Sequence, residues 1–149
     1  LHDYAQCLIK LGAHGEAELQ LHEALKKQWS PELIRLYGQV KGDNPSRQLA
    51  SVEKWLTQYE HHPEQLLAAA RICFHNQLWG KGRSYLEASI GFEPRPESYC
   101  ERGQLLDQMG EKEDAAMCFR QGLQLAAGDD CTPVVIPADG DRFHQHHPA

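Results

Sequence analysis

A chain of 149 residues is long enough for one compact domain or a short stack of repeats. With 41% hydrophobic and 24% charged residues it has a globular composition, which excludes a largely disordered chain. Its net charge of −6 argues against a phosphate-binding surface, so nucleic acid is not an expected partner.

The chain opens at Leu1 inside a helical pattern, with Tyr4-Ala5, Leu8, Gly12, Ala17, Leu21 and Ala24 on one template. The expectation is a helix pair whose first helix lacks its front, in a fragment cut from a longer protein. No signal peptide is expected in such a fragment, and no run approaches the ~20 apolar residues of a membrane span. A second pair carries Ile34 and Tyr37-Gly38, then Ser51 and Trp55 after Gly42-Asp43-Asn44-Pro45. Its inter-helix turn is longer than the others, and Pro45 is expected in the first turn of the second helix.

The third pair is the clearest. Its first helix is predicted over 64–77, with Leu66, Leu67, Ala69, Ala70 and Cys73 as the apolar stripe. Its second is predicted over 78–92, with Leu78, Trp79, Gly82, Leu86, Ser89 and Ile90 facing inward. Glu93-Pro94 ends it, because proline biases its predecessor away from helical geometry. The fourth pair repeats the pattern: Tyr99, Arg102-Gly103 and Leu106 first, then Ala115, Phe119 and Gly122 beyond the turn at Gly110. Ala115 follows Gly82 by 33 residues, close to the ~34 of a tetratricopeptide (TPR) repeat.

The predicted fold is therefore all-α: a right-handed TPR superhelix of about four helix pairs over residues 1–127, with the first pair truncated. Small residues should mark where helices of a pair touch: Gly38, Ala70 and Gly103 on first helices, and Ala17, Gly82 and Ala115 on second helices. From Gly128 onward the helical period stops, so residues 128–149 are expected to form an extended or flexible tail. Val134-Val135-Ile136, between two prolines, is apolar enough to dock on the last pair.

A concave surface lined by first helices would present Arg35, Gln39, Leu67, Arg71, Phe74, His75, Cys100, Gln104 and Asp107. Arg71, Phe74 and His75 form the most chemically pointed cluster. Arginine clasps a carboxylate in bidentate fashion, such as a peptide terminus, and Phe74 offers an apolar wall. Axial haem ligation by His75 is the less favoured reading, because Cys73, two residues away, points to another face of the helix.

The five cysteines (Cys7, Cys73, Cys100, Cys118, Cys131) are odd in number and lack metal-ligand spacing. They read as reduced thiols serving as small hydrophobes, in keeping with a reducing compartment. His61-His62 and the tail residues His144, His146 and His147 form short His-rich tracts, but a metal site needs three or four ligands held in geometry. Trp29, Trp55 and Trp79 read as structural. The acid pairs Glu111/Glu113 and Asp129/Asp130 have no apolar pocket to raise a pKa, and the repeat register juxtaposes no Ser-His-Asp or Cys-His set. No enzyme and no metal site are expected.

The stretch Asn76-Gln-Leu-Trp-Gly-Lys-Gly-Arg-Ser-Tyr-Leu-Glu-Ala-Ser-Ile90 resembles the C-terminal repeats of the bacterial HemY family. Arg47-Gln-Leu-Ala with Glu53-Lys-Trp-Leu56 does so too, as does Leu106-Asp-Gln-Met-Gly110 followed by Asp114-Ala-Ala-Met-Cys-Phe119. The resemblance covers roughly residues 30–126. It implies an inner-membrane protein associated with late haem biosynthesis, with two membrane spans ahead of the repeats. No catalytic residues carry over. The same name is used for an unrelated flavin-dependent protoporphyrinogen oxidase, and this chain lacks the dinucleotide fingerprint of such an enzyme.

The expected function is a membrane-tethered scaffold binding haem-biosynthesis enzymes in its groove, with the repeats on the cytoplasmic side. A haem- or porphyrin-binding carrier using the same groove is the alternative. Dimerisation through the truncated first pair is a third expectation, since its uncovered apolar surface invites self-association.

Overall fold

The computed structural model describes residues 1–59 and 62–128. Among them the chain is all-helical, with eight helices: α1 (His2–Lys10), α2 (His14–Lys27), α3 (Pro31–Gln39), α4 (Pro45–Gln58), α5 (Pro63–His75), α6 (Trp79–Phe92), α7 (Pro96–Gln108) and α8 (Lys112–Ala127). Helices α1 and α2, α5 and α6, and α7 and α8 pack as successive pairs, whereas α3 and α4 each pack mainly on α5; the architecture is repeat-like. Both helices of the fourth pair, starting at Pro96 and Lys112, begin 33 residues after their counterparts at Pro63 and Trp79. The expected tail lies outside the described residues beyond Gly128. With it lie the Val134-Val135-Ile136 run, the tail histidines, Asp129, Asp130, Cys131 and also His61. No helix among the described residues is long and apolar enough to cross a membrane.

Local chemistry fixes the helix starts. Ser30 Oγ accepts from the Leu33 amide at 3.2 Å, and Asn44 Oδ1 accepts from the Arg47 amide at 3.1 Å. Each cap is followed by proline at the first helical position, where a missing N–H costs nothing (Pro31 and Pro45). Pro63 and Pro96 likewise stand in the first turn of α5 and α7, with a side-chain cap from His62 ahead of α5 and none ahead of α7.

The turns within three pairs share one hydrogen bond, spanning five residues from amide back to carbonyl. Ala13 donates to Leu8, Leu78 to Cys73 and Glu111 to Leu106, at 2.8–2.9 Å. This closure demands a residue in the left-handed region. Gly12 (φ +82°) and Gly110 (φ +83°) supply it at no steric cost, but in the third pair Gln77 (φ +60°) stands 33 residues before Gly110 and takes that strain. Leu78, expected to face inward, is part of this turn and is exposed.

The second pair departs from the others. Residues 40–44 replace the tight turn, and Gln48 stitches them: its Nε2 donates to Tyr37 O and Val40 O, and its Oε1 accepts from the Gly42 amide. Glu18, buried on α2, accepts from Tyr37 Oη at 2.7 Å and also faces Arg47, so α2, α3 and α4 are tied by a polar thread through the core. Trp55 packs edge-on against Tyr37.

The most extensive helix packings are α7 on α8, α5 on α6 and α3 on α5. α5 is the central element, with residues 63–70 buried throughout. A Cβ on Gly38 would lie 2.6 Å from the Ala68 Cα, so α3 and α5 touch backbone to backbone. This corrects the expectation that Gly38 serves a contact inside its own pair: the close approach is to the next pair. Gly82 and Gly103 do serve their own pairs, by accepting the rings of Phe74 and Phe119.

Two consequences are measurable. Gly38→Ala should destabilise the fold by about 2 kcal/mol, because the new methyl meets backbone that cannot yield. Gly80→Ala, where a Cβ meets nothing within 4 Å, should instead stabilise by roughly 0.5–1 kcal/mol; urea unfolding followed by circular dichroism reads both. Gln77→Gly should raise the stability by about 1 kcal/mol, and with it the same midpoint, through relief of the left-handed strain, and an unchanged or lower midpoint would contradict that account.

Candidate functional site

The first helices α3, α5 and α7 border a groove of about 490 Å³, within the ordinary range of ligand clefts. α3 contributes Gly38 and Gln39, and the following loop contributes Lys41. α5 presents Arg71, Phe74 and His75, with Trp79 at the start of α6 beside them. The far wall is α7, through Glu101, Gln104, Leu105 and Gln108. A second hollow shares Lys41, Phe74 and His75 and runs on toward Gly42, Pro45 and Gln48. A third shares Gln39 and continues past Arg35 toward α1.

The groove exists because of how α5 is packed. Ala68 lets α3 press against one side of it, and Cys73 and Phe74 take Gly82 of α6 on another. α7 does not come as near to α5, and the gap between them is bridged by side chains. Arg71 Nε donates to Glu101 Oε1 at 2.7 Å, with both side chains mostly buried. Arg35 Nη2 lies 3.7 Å from Glu97 Oε2, a half-exposed pair that ties α3 to α7.

Of the expected groove residues, Gln39, Arg71, Phe74, His75 and Gln104 do line this groove. Arg35 lies in the neighbouring hollow. Leu67 is a correction: it is only 2% exposed and packs with Ala70 and Leu86 in the core. With neighbours on several sides, α5 has a free strip too narrow to include it. Cys100 and Asp107 are exposed on α7 but outside the groove lining, and Asp107 pairs with Lys112 at 3.1 Å. Trp79, read as an inward packing residue, is 49% exposed and stacks on Phe74 with ring centroids 6.0 Å apart.

The sequence reading missed Lys41, Glu101 and Gln108. Lys41 follows α3 in a loop of no regular period. It is held in place by its own amide, which donates to His14 Nδ1 at 2.9 Å. Glu101 had one available signal, since it stands 30 residues after Arg71 with opposite charge.

The electrostatics of the site centre on α5. His75 is half-buried, and that desolvation is the main reason its pKa falls below the ordinary 6.5. Lys41, Arg71 and His14 push in the same direction, while Glu101 opposes them. Both Arg71 Nη1 and His75 Nδ1 are buried without a hydrogen-bond partner among the described residues. Burial pushes the Cys73 thiol up to about 11, so it stays a neutral packing group. Cys118 is likewise buried and its pKa raised, whereas Cys7 and Cys100 are exposed. No group of three His, Cys, Asp or Glu among the described residues is placed to hold a metal. Tyr4 on α1 and Leu1 and Leu11 at its two ends are exposed, which is the apolar surface that the dimer expectation invoked.

Set against known proteins, the chain matches no family model, no curated protein and no solved structure.

A depressed folded-state pKa for His75 means that the unfolded chain takes up its proton first as pH falls. Below about pH 6.5 the folded state should therefore lose stability relative to a His75→Gln variant, until the folded-state pKa is passed. Urea midpoints of both proteins between pH 7.5 and about 5 check this; parallel curves would show that His75 is not the group responsible.

Proposed function

We propose that this chain is a protein-interaction scaffold of the TPR type, a right-handed superhelix whose groove between α3, α5 and α7 receives a segment of a partner protein. The observation that carries the reading is the groove itself, a cleft bordered by three first helices and walled by exposed polar side chains over a half-buried aromatic pair. The 33-residue spacing of equivalent helices and the recurrent small residues at close contacts support the TPR assignment. Peptide-binding grooves commonly combine an apolar floor with polar groups that set orientation, and Phe74 and Trp79 with Gln39, Gln104 and Gln108 provide that combination here.

The resemblance to the HemY repeats narrows the proposed partners to enzymes of late haem biosynthesis, at the bacterial inner membrane and on its cytoplasmic side. Purified enzymes of that pathway, immobilised and titrated with this chain, should show saturable binding. Gln104→Trp fills the groove from an exposed position and should weaken binding at least tenfold, about 1.4 kcal/mol. Lys54→Glu, on α4 and outside the groove lining, should leave it unchanged. Binding insensitive to Gln104→Trp would place the interface elsewhere and sink the groove reading.

A haem or porphyrin carrier is the second reading, favoured by the exposed Trp79 beside Arg71 and His75. Its sign would be a saturable Soret shift on haem titration that is lost in His75→Ala.

A further inference from the structure

Resting on the scaffold reading, we infer that one end of the groove is a seat for the C-terminal carboxylate of the partner polypeptide, formed by Arg71 and His75 of α5 with Lys41 beside them. Burying a guanidinium nitrogen without a hydrogen bond is costly unless water or a ligand completes it. Arg71 Nε is fixed by Glu101 Oε1, which leaves the Nη1/Nη2 edge of the fork for a second acceptor. Its Nη1 is one of two orphaned buried nitrogens in the groove, and His75 Nδ1, one helical turn further on, is the other. One carboxylate has two oxygens and can accept from both once His75 Nδ1 carries a proton.

The charge balance points the same way. Glu101 offsets Arg71, so Lys41 leaves a net positive charge at the seat, within a protein whose overall charge is −6. An anion would not collect here through the general field of the molecule; the attraction is local. Lys41 is held at the mouth by a backbone that Gln48 and His14 pin in place. Beyond the seat, Gln39 on α3 and Gln104 and Gln108 on α7 each carry a donor and an acceptor. Such side chains match the alternating amide groups of an extended peptide, which favours a chain terminus over a lone small carboxylate. Flat macrocycles fit less well, because the Phe74 ring is packed against Gly82 and Trp79 stacks on it.

Binding at this seat is coupled to protons. In the free protein His75 faces Lys41, Arg71 and His14, with Glu101 as the single anion among those groups, and it is held neutral at pH 7. A carboxylate arriving opposite it favours the imidazolium, which can then donate from Nδ1. Affinity should therefore rise as pH falls from 7.5 toward 6.

The test is an array of random-sequence hexapeptides displayed with free carboxyl termini beside the same sequences amidated, probed with the whole chain and its variants. The expected result is a set of sequences bound only as free acids and more tightly at pH 6 than at pH 7.5. Their binding should weaken at least tenfold in Arg71→Gln and in His75→Gln. Because Arg71→Gln also unpairs Glu101, Lys41→Ala serves as the second variant: its side chain is exposed, and it should weaken the free acids severalfold with an unchanged circular dichroism spectrum. Sequences bound equally as acid and amide, yet lost in Gln104→Trp, would overturn the carboxylate seat and leave the scaffold reading intact. An array with no bound sequence in either form would count against both. Full competition of the free acids by millimolar acetate, with no dependence on peptide sequence, would reduce the seat to a small-carboxylate site and overturn the inference.

Discussion

The approach of α3 to α5 at Gly38 and Ala68 is the constraint on which the rest of the molecule depends. Two helix backbones come that close only where neither presents a side chain larger than a methyl group. With α3 held there, the loop after it must climb away, and Gln48 binds that loop through two backbone carbonyls and one amide. Lys41 is carried to the groove mouth as a result. On its other side α5 is locked to α6 by Gly82 beneath the Phe74 ring, and this turns Phe74 and Trp79 into one stacked unit.

The opposite wall is built on a different principle. α7 and α8 pack tightly on one another, with Phe119 over Gly103, but α7 meets α5 through side chains instead of backbone. The Arg71–Glu101 pair therefore spans the space that becomes the groove, and Arg35–Glu97 ties α3 to α7 beside it. Ion pairs of this kind add little net stability when partly desolvated, yet removing one partner leaves an uncompensated buried charge. They set the separation and orientation of α5 and α7 more than the depth of the energy minimum. A groove whose walls are joined by polar bridges can also adjust its width at lower cost than one closed by a packed core.

Much of this was legible along the chain wherever the cause is short-range. The caps at Ser30 and Asn44, the prolines that follow them, and the turn glycines Gly12 and Gly110 announce helix boundaries, since each acts within a few residues of itself. The 33-residue offset exposed the pairing of α5–α6 with α7–α8 even where a turn residue differs, as Gln77 does from Gly110. Within the groove, Arg71, Phe74, His75 and Gln104 could be placed because helical periodicity assigns them to one side of a first helix.

The sequence by itself determined the number of helices in the described region, their approximate ends and the polar character of the first-helix faces, all of which follow from local hydrogen bonding and a period of 3.6 residues. Tertiary structure alone decided how much of each face stays open. Leu67 sits on the same helix as Arg71, but with α3, α4 and α6 all packed on α5 it is enclosed, while Trp79 at a helix start is left half outside. It also decided that Gly38 serves the neighbouring pair and that Glu101 claims one edge of Arg71 while the other edge stays free. Exposure and partnership of this kind depend on distances between helices that are far apart in the chain, and no periodicity within a single helix encodes them.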